Sequence, residues 1–279
     1  MNCLCDGFCD GIGKAECMLA VKTSTYPKIY DPYDLRLLEY SSPGDSRNDW
    51  ALLLPPRQNT ECVIVLHGHG ATGDQLYRRQ DLRNAWVHLL GRDGRAVLSP
   101  HLRGNAWMNP EAEQDLISLI GYMKEEDELE RFILASCSMG GTGSLIFAML
   151  HPDTIRGVIA LCPATDLARY CGWCRSMTKD ILHRIADAIE TSYGGTPDAR
   201  PRHYEAHSAC AHYDRLDMPV FIGHGTADTL IPVSESRSLI AQMKGMSNVR
   251  YEEVPGGNHG SVAGKMAAGL EWIEGTRQA

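Results

Sequence analysis

The sequence predicts an α/β domain built on one mostly parallel central sheet with helices on both faces. Two observations carry this. From about residue 61 onward, short apolar runs alternate with segments of helical period, the pattern of repeated strand–helix units. The runs are nearly continuous in apolar residues and do not alternate, as expected of strands covered on both sides. A chain of 279 residues, 43% hydrophobic, can bury one large core.

Residues 1–20 read as a disordered leader and 21–279 as a single domain. Leu35–Tyr40 and Trp50–Leu54 form an expected antiparallel pair, joined through Pro43-Gly44-Asp45 and stopped by Pro55-Pro56. Strands follow at 61–66 and 95–99. Asn109-Pro110 then opens a helix over Glu111–Glu126, whose Leu116, Ile117, Ile120 and Met123 share one face. A strand at 131–136 runs into a helix over Thr142–Leu150, and another strand spans 156–162. The rhythm breaks at about 165–217, an insertion read as a lid or cap containing Tyr170, Trp173, Met177 and a helix over Asp180–Glu190. Strands at 219–223 and 249–254 and a helix from about Ser261 to Thr276 complete the chain.

The chemistry lies in loops after these strands. Ser136-Cys137-Ser138-Met139-Gly140-Gly141 joins a strand directly to a helix. A serine forced into so sharp a turn exposes its hydroxyl, and the small neighbours allow strand and helix to approach. The helix aims its N-terminal N–H groups at the same point. Asp228 follows the strand at 219–223, in His224-Gly225-Thr226-Ala227-Asp228. His259 lies in Pro255-Gly256-Gly257-Asn258-His259-Gly260. A hydroxyl becomes a useful nucleophile when an imidazole takes its proton and a carboxylate orients that imidazole. Ser138, His259 and Asp228 are those three residue types, each placed after its own strand. Asp166, after the strand at 156–162, is the rival acid. The tetrahedral oxyanion needs backbone donors. The sequence offers the N–H of Met139, after the serine, and that of His69, in the loop His67-Gly68-His69-Gly70, with Gly70 as the alternative second donor. Trp107 is placed evenly between pocket lining and core.

The set His67-Gly68, Ser138-Met139-Gly140-Gly141, His224-Gly225-x-x-Asp228 and Gly257-Asn258-His259-Gly260 resembles the α/β-hydrolase superfamily in its serine carboxylesterase branch. Ser99-Pro100-His101-Leu102-Arg103-Gly104 is similar to feruloyl-esterase-like and prolyl-oligopeptidase-like members. The resemblance covers roughly residues 48–274. It implies a nucleophile elbow, the triad order Ser-Asp-His, no cofactor, and hydrolysis of small or medium carboxylic esters through an acyl-enzyme on Ser138. One departure stands out: Ser136 occupies the place of the first glycine in G-x-S-x-G. The alternatives are a peptidase of the prolyl-oligopeptidase type, which the short stretch before the first core strand disfavours, and a non-catalytic binding module on the same fold.

Net charge −8 provides no basic footprint for nucleic acid or an anionic membrane. No apolar run reaches the ~18 residues of a membrane span, and no signal-peptide pattern opens the chain, so a soluble, cytoplasmic protein is expected. Ten cysteines are present. Cys62, Cys137 and Cys162 read as buried apolar residues. The cluster Cys3, Cys5, Cys9, Cys17 matches no standard zinc pattern. In the insertion His203 and His207 at i, i+4, with Cys210, His212 and the upstream Cys171 and Cys174, offer a zinc reading. With no H-E-x-x-H they read as surface and lid-packing residues, and no metal site is expected. Oligomeric state is not legible.

Overall fold

The structure, a computed structural model, describes residues 19–26 and 33–276. Almost all of the expected leader, with its four cysteines, lies outside the described residues. Among the described residues, nine strands form one sheet in the order β1-β2-β3-β5-β4-β6-β7-β8-β9. They are β1 (Val21–Thr25), β2 (Arg36–Ser41), β3 (Asn48–Leu54), β4 (Glu61–Ile64), β5 (Ala96–Pro100), β6 (Arg131–Cys137), β7 (Ile155–Leu161), β8 (Val220–Gly225) and β9 (Val249–Val254). β1, β2, β3 and β5 pair antiparallel, and β5, β4, β6, β7, β8 and β9 pair parallel. Every strand expected from sequence is present within a few residues. β1 is additional: four of its five residues are exposed, so it carries no apolar signal, and it is held by its ladder to β2.

Successive residues of the central strands feed opposite cores, as the two-residue period of a strand requires. Cys62, Ile64, Phe132, Leu134, Val158 and Ala160 point into one cluster, while Val63, Val65, Ile133, Ala135, Ile159 and Leu161 point into the other. Both faces are therefore apolar, which is why these strands read as continuous hydrophobic runs.

Helices cover each face. Between β4 and β5 lie the short helices α1 (Gln75–Arg78), α2 (Gln80–Leu82) and α3 (His88–Leu90). α4 (Pro110–Glu126) follows β5, with Asn109 Oδ1 accepting from the Ala112 N–H at its start. α5 (Met139–Leu150) follows β6. The segment between β7 and β8 carries α6 (Leu167–Ser176), α7 (Asp180–Ser192) and α8 (Pro201–Ala206), after which α9 (Ser234–Gln242) and α10 (Met266–Gly275) complete the set. Leu116, Leu145 and Leu182 belong to the first core, and Leu76, Trp86 and Leu270 to the second. The expected final helix divides into a tight turn over Ser261–Lys265 and then α10.

Candidate active site

Ser138 sits between β6 and α5 at φ 62° and ψ −131°, a left-handed backbone that a non-glycine residue adopts only when its surroundings hold it there. Its own N–H donates to the Leu161 carbonyl (2.8 Å), and its carbonyl accepts from the Thr142 N–H (2.9 Å). The strand and helix meet closely behind it. A Cβ at Gly140 would lie 2.2 Å from the Leu66 carbonyl oxygen, and one at Gly141 2.9 Å from that of Leu161. These two positions exclude any side chain.

Ser136, the departure from the glycine pattern, makes a specific bond. It is fully buried, and its Oγ accepts the Leu66 N–H at 2.9 Å. Leu66 lies just beyond β4 and leads into the His67–Gly70 loop. A glycine at 136 would leave that N–H without this acceptor.

The Asp228 and His259 side chains meet. His259 Nδ1 lies 2.7 Å from Asp228 Oδ2, while Asp228 Oδ1 accepts the Leu230 and Ile231 N–H groups at 2.8 and 3.0 Å. Fully buried His224 adds a contact, its Nε2 3.5 Å from Asp228 Oδ2. That same Nε2 donates to the Ile231 carbonyl (2.9 Å), and Nδ1 lies 2.7 Å from Ser236 Oγ, which fixes the ring. Burial pushes the Asp228 carboxyl up, but hydrogen bonds from His224 and His259 outweigh it and hold the group well below the carboxylate range. For His259, burial favours the neutral ring, yet the hydrogen bond and charge of Asp228 prevail and raise it above its ordinary value. His259 makes no hydrogen bond to Ser138 Oγ among the described residues. Its Nε2 instead has Cys162 Sγ 4.0 Å away.

In the loop after β4, side chains take two of the N–H groups. Gln75 Oε1 takes that of Gly68 (2.9 Å), and Asn105 Oδ1 takes that of Gly70 (2.7 Å). Neither the His69 N–H nor the Met139 N–H has an acceptor among the described residues. Gly70, the alternative second donor, is thus occupied by Asn105. The His67 ring holds the loop to the next one, Nε2 donating to the His101 carbonyl at 2.8 Å.

Ser138 and His259 line a cavity of about 220 Å³. Its walls are largely apolar: Trp107 after β5, Tyr170 from α6, Ile181 and Ile185 from α7, and Leu230 and Ile231 beside Asp228. Trp107 turns out to be both core and wall. It is 1% exposed, sits 5.7 Å from the Tyr170 ring, and its Nε1–H donates to His69 Nδ1 at 3.3 Å. Burial lowers the His69 ring below its usual value, in keeping with this acceptor role.

Other residues singled out by sequence fall elsewhere. The Asp166 side chain accepts the Arg169 N–H (3.0 Å) and caps α6, so the rival acid is not at His259. His207 lies 3.1 Å from the Tyr193 hydroxyl, which donates to the Trp107 carbonyl, and so packs behind the cavity wall. Among the described residues, one set of side chains has metal-ligand spacing, and it consists of Cys162, Asp228 and His259, not the insertion's histidines. Sequence reasoning gave no bonding role to Ser136, seen only as a departure from the glycine pattern, nor to His224, Gln75 or Asn105. Ser136 and His224 carried a signal, their places in the elbow pattern and in His-Gly-x-x-Asp.

The sheet order, the turn at Ser138 and the Asp228–His259 pair together define the α/β-hydrolase fold in its serine hydrolase class. The chain belongs to the prolyl oligopeptidase family, whose model matches residues 85–274. A search among curated proteins returns no match. Similar solved structures include the S-formylglutathione hydrolase of Agrobacterium tumefaciens, 13% identical with a TM-score of 0.68 over 91% of this chain and 98% of that one. FphF, a fluorophosphonate-binding serine hydrolase of Staphylococcus aureus, is 15% identical with a TM-score of 0.64 over 86% and 98%. Est1E of Butyrivibrio proteoclasticus is 20% identical with a TM-score of 0.59 over 84% and 95%. At these identities the likeness is one of fold. No helix among the described residues is long and apolar enough to cross a membrane.

Proposed function

We propose that the protein is a serine carboxylesterase acting on small carboxylic esters. The observation that carries this is the Asp228–His259 bond of 2.7 Å, with His259 lining the same small, mostly apolar cavity as a serine held in a left-handed turn. In this reading His259 Nε2 takes the Ser138 proton as Oγ bonds to the ester carbon. The N–H groups of Met139 and His69 receive the oxyanion. His259 then returns the proton to the departing alcohol, leaving the acyl group on Ser138. Water, deprotonated by His259, attacks the acyl-enzyme and frees the acid and Ser138. Asp228 orients and supports the imidazolium throughout, and loss of one oxyanion donor costs on the order of 3 kcal/mol of transition-state stabilisation.

The cavity size points to short acyl groups, since 220 Å³ is below the ~300–1,000 Å³ usual for drug-sized ligands. Trp107, Tyr170, Ile181 and Ile185 would form the acyl wall, with α6–α8 as the cap. Family membership favours a second reading, a peptidase. The lining is mostly apolar with Gln75, Arg79 and Ser99 as polar members, and it includes no carboxylate to receive a peptide's charged amino terminus. That supports the ester reading over an aminopeptidase.

The test compares p-nitrophenyl esters from acetate to palmitate with p-nitroanilides of the same acyl groups, using the parent and Ser138→Ala. Turnover of short esters that vanishes in Ser138→Ala is the expected result. Faster cleavage of the anilides would favour the peptidase, and esterase activity surviving in Ser138→Ala would overturn the serine mechanism. Specific ligand binding without turnover would indicate a binding module.

A further inference from the structure

Cys137 and Cys162 occupy the ends of adjacent parallel strands directly beneath the site. In the β6–β7 ladder Cys137 pairs with Leu161, so Cys162 is the next residue along. Their sulfurs are 3.2 Å apart, closer than two non-bonded sulfurs rest without an S–H···S contact. Both thiols are free. Cys137 is half-buried and lines the cavity. Cys162 is fully buried at φ 43°, its sulfur 4.0 Å from His259 Nε2 and 3.7 Å from the His259 carbonyl oxygen. Nothing in the hydrolytic cycle uses either sulfur.

We propose that Cys137 and Cys162 form a peroxide-oxidisable dithiol site whose disulfide switches the neighbouring Ser138–His259 centre off. The two thiols are set up for different parts. The S–H of Cys162 and the charge of His259 lower Cys137 despite burial, and burial and the Cys137 contact raise Cys162. The Cys137 thiolate therefore attacks the O–O bond of hydrogen peroxide. One oxygen stays as Cys137 sulfenic acid, and the other leaves as water after taking a proton. The Cys162 sulfur then displaces hydroxide from that sulfenic acid. Its proton passes by way of His259 Nε2 to the hydroxide, which leaves as a second water. Two thiols and one peroxide become one disulfide and two waters, and a dithiol reductant reverses the change.

A disulfide requires an S–S distance of about 2.05 Å, so the sulfurs must close by about 1 Å. That movement falls on Cys137, bonded to Ser138, and on Cys162, which follows the carbonyl that receives the Ser138 N–H. It also withdraws the sulfur lying against His259. Displacements of about 1 Å at reacting groups can lower rates on the order of 10²-fold, the loss expected on oxidation.

The experiment treats the full chain with hydrogen peroxide, blocks remaining thiols, digests without reductant and maps the linked peptides by mass. Ester hydrolysis is followed before oxidation, after it, and after dithiothreitol. The expected result is a 137–162 linked pair two hydrogens lighter than its reduced peptides, formed in step with a roughly 10²-fold loss that dithiothreitol restores. Cys137→Ala and Cys162→Ala should each abolish the link and the reversible loss, every variant being compared with its own reduced form. The wild-type map stands even where a variant does not fold. A bond only between other cysteines, Cys137 oxidised to sulfinic acid without a link, or a 137–162 bond with unchanged activity would each overturn the proposal. The link is read independently of the esterase reading. Were the esters not hydrolysed, labelling of Ser138 by a fluorophosphonate before and after oxidation would report the switch, and unaltered labelling would overturn it.

Discussion

Removing the Ser136 hydroxyl tests how the oxyanion loop is held. Ser136 is fully buried, and its Oγ accepts the Leu66 N–H at 2.9 Å. Ser136→Ala deletes the acceptor and leaves the Leu66 main-chain donor without it, a penalty of about 1–3 kcal/mol. Ser136→Gly restores the familiar G-x-S-x-G spelling but loses the same bond, and adds backbone freedom in a strand interior worth roughly 0.5–1 kcal/mol. For a chain of this size each kcal/mol lowers the melting temperature by about 2–4 °C. Both variants should therefore melt several degrees below the parent. Leu66 leads into His67–Gly70, so the His69 N–H should also be less well aimed. A fall in kcat of about 10-fold, with KM little changed, is the signature of a weakened transition-state donor. Differential scanning calorimetry and ester kinetics on the two variants provide the readouts. If Ser136→Gly matched or exceeded the parent in both, the hydroxyl would be incidental and the bond to Leu66 without consequence.

Four further outcomes are expected. Asp228 raises His259 above its usual value, and only the neutral ring can accept the serine proton, so kcat/KM should climb with pH through a midpoint above ~6.5; a profile flat down to pH 5 would remove His259 as the base. Asp228→Asn eliminates both that shift and the orientation of the ring, and stopped assays should show kcat down by roughly 10⁴-fold with the fold intact by circular dichroism. Gly140→Ala sets a Cβ 2.2 Å from the Leu66 carbonyl oxygen, and since backbone cannot swing aside like a side chain, the soluble folded yield should collapse on gel filtration. Ile185→Ala enlarges the cavity wall, and the preferred acyl chain, read from kcat/KM along the p-nitrophenyl series, should lengthen by one or two carbons.

Much of the fold was legible because two-sided burial leaves a plain mark. Runs such as Cys62–Ile64 and Phe132–Ala135 are apolar at every position, since alternate residues enter two different cores. β1 was not legible: its side chains are mostly exposed, and its hydrogen bonds to β2 involve backbone that no residue type announces. Of the candidate site, Ser138, Asp228 and His259 could be nominated because each stands in a loop of small residues whose spacing reflects local geometry. Met139 and His69 could be named as donors for the same reason. Sequence preferred His69 with Gly70 as the alternative, but it could not show that Asn105, thirty-five residues away from Gly70, reaches across to occupy the Gly70 N–H.

The sequence alone determined the α/β class, the strand order along the chain, the sharp turn at Ser138 and the three residue types offered for chemistry. These depend on near neighbours: side-chain period, glycine where strand meets helix, and turn residues after a strand. The tertiary structure alone decided which distant groups touch. It bonded His259 to Asp228, left Asp166 to cap its own helix, put Trp107 in both core and cavity, and brought Cys137 within 3.2 Å of Cys162. The physical reason is that hydrogen bonds and contacts of this kind require atoms within about 4 Å in three dimensions, and strand pairing sets those distances between residues far apart in the chain.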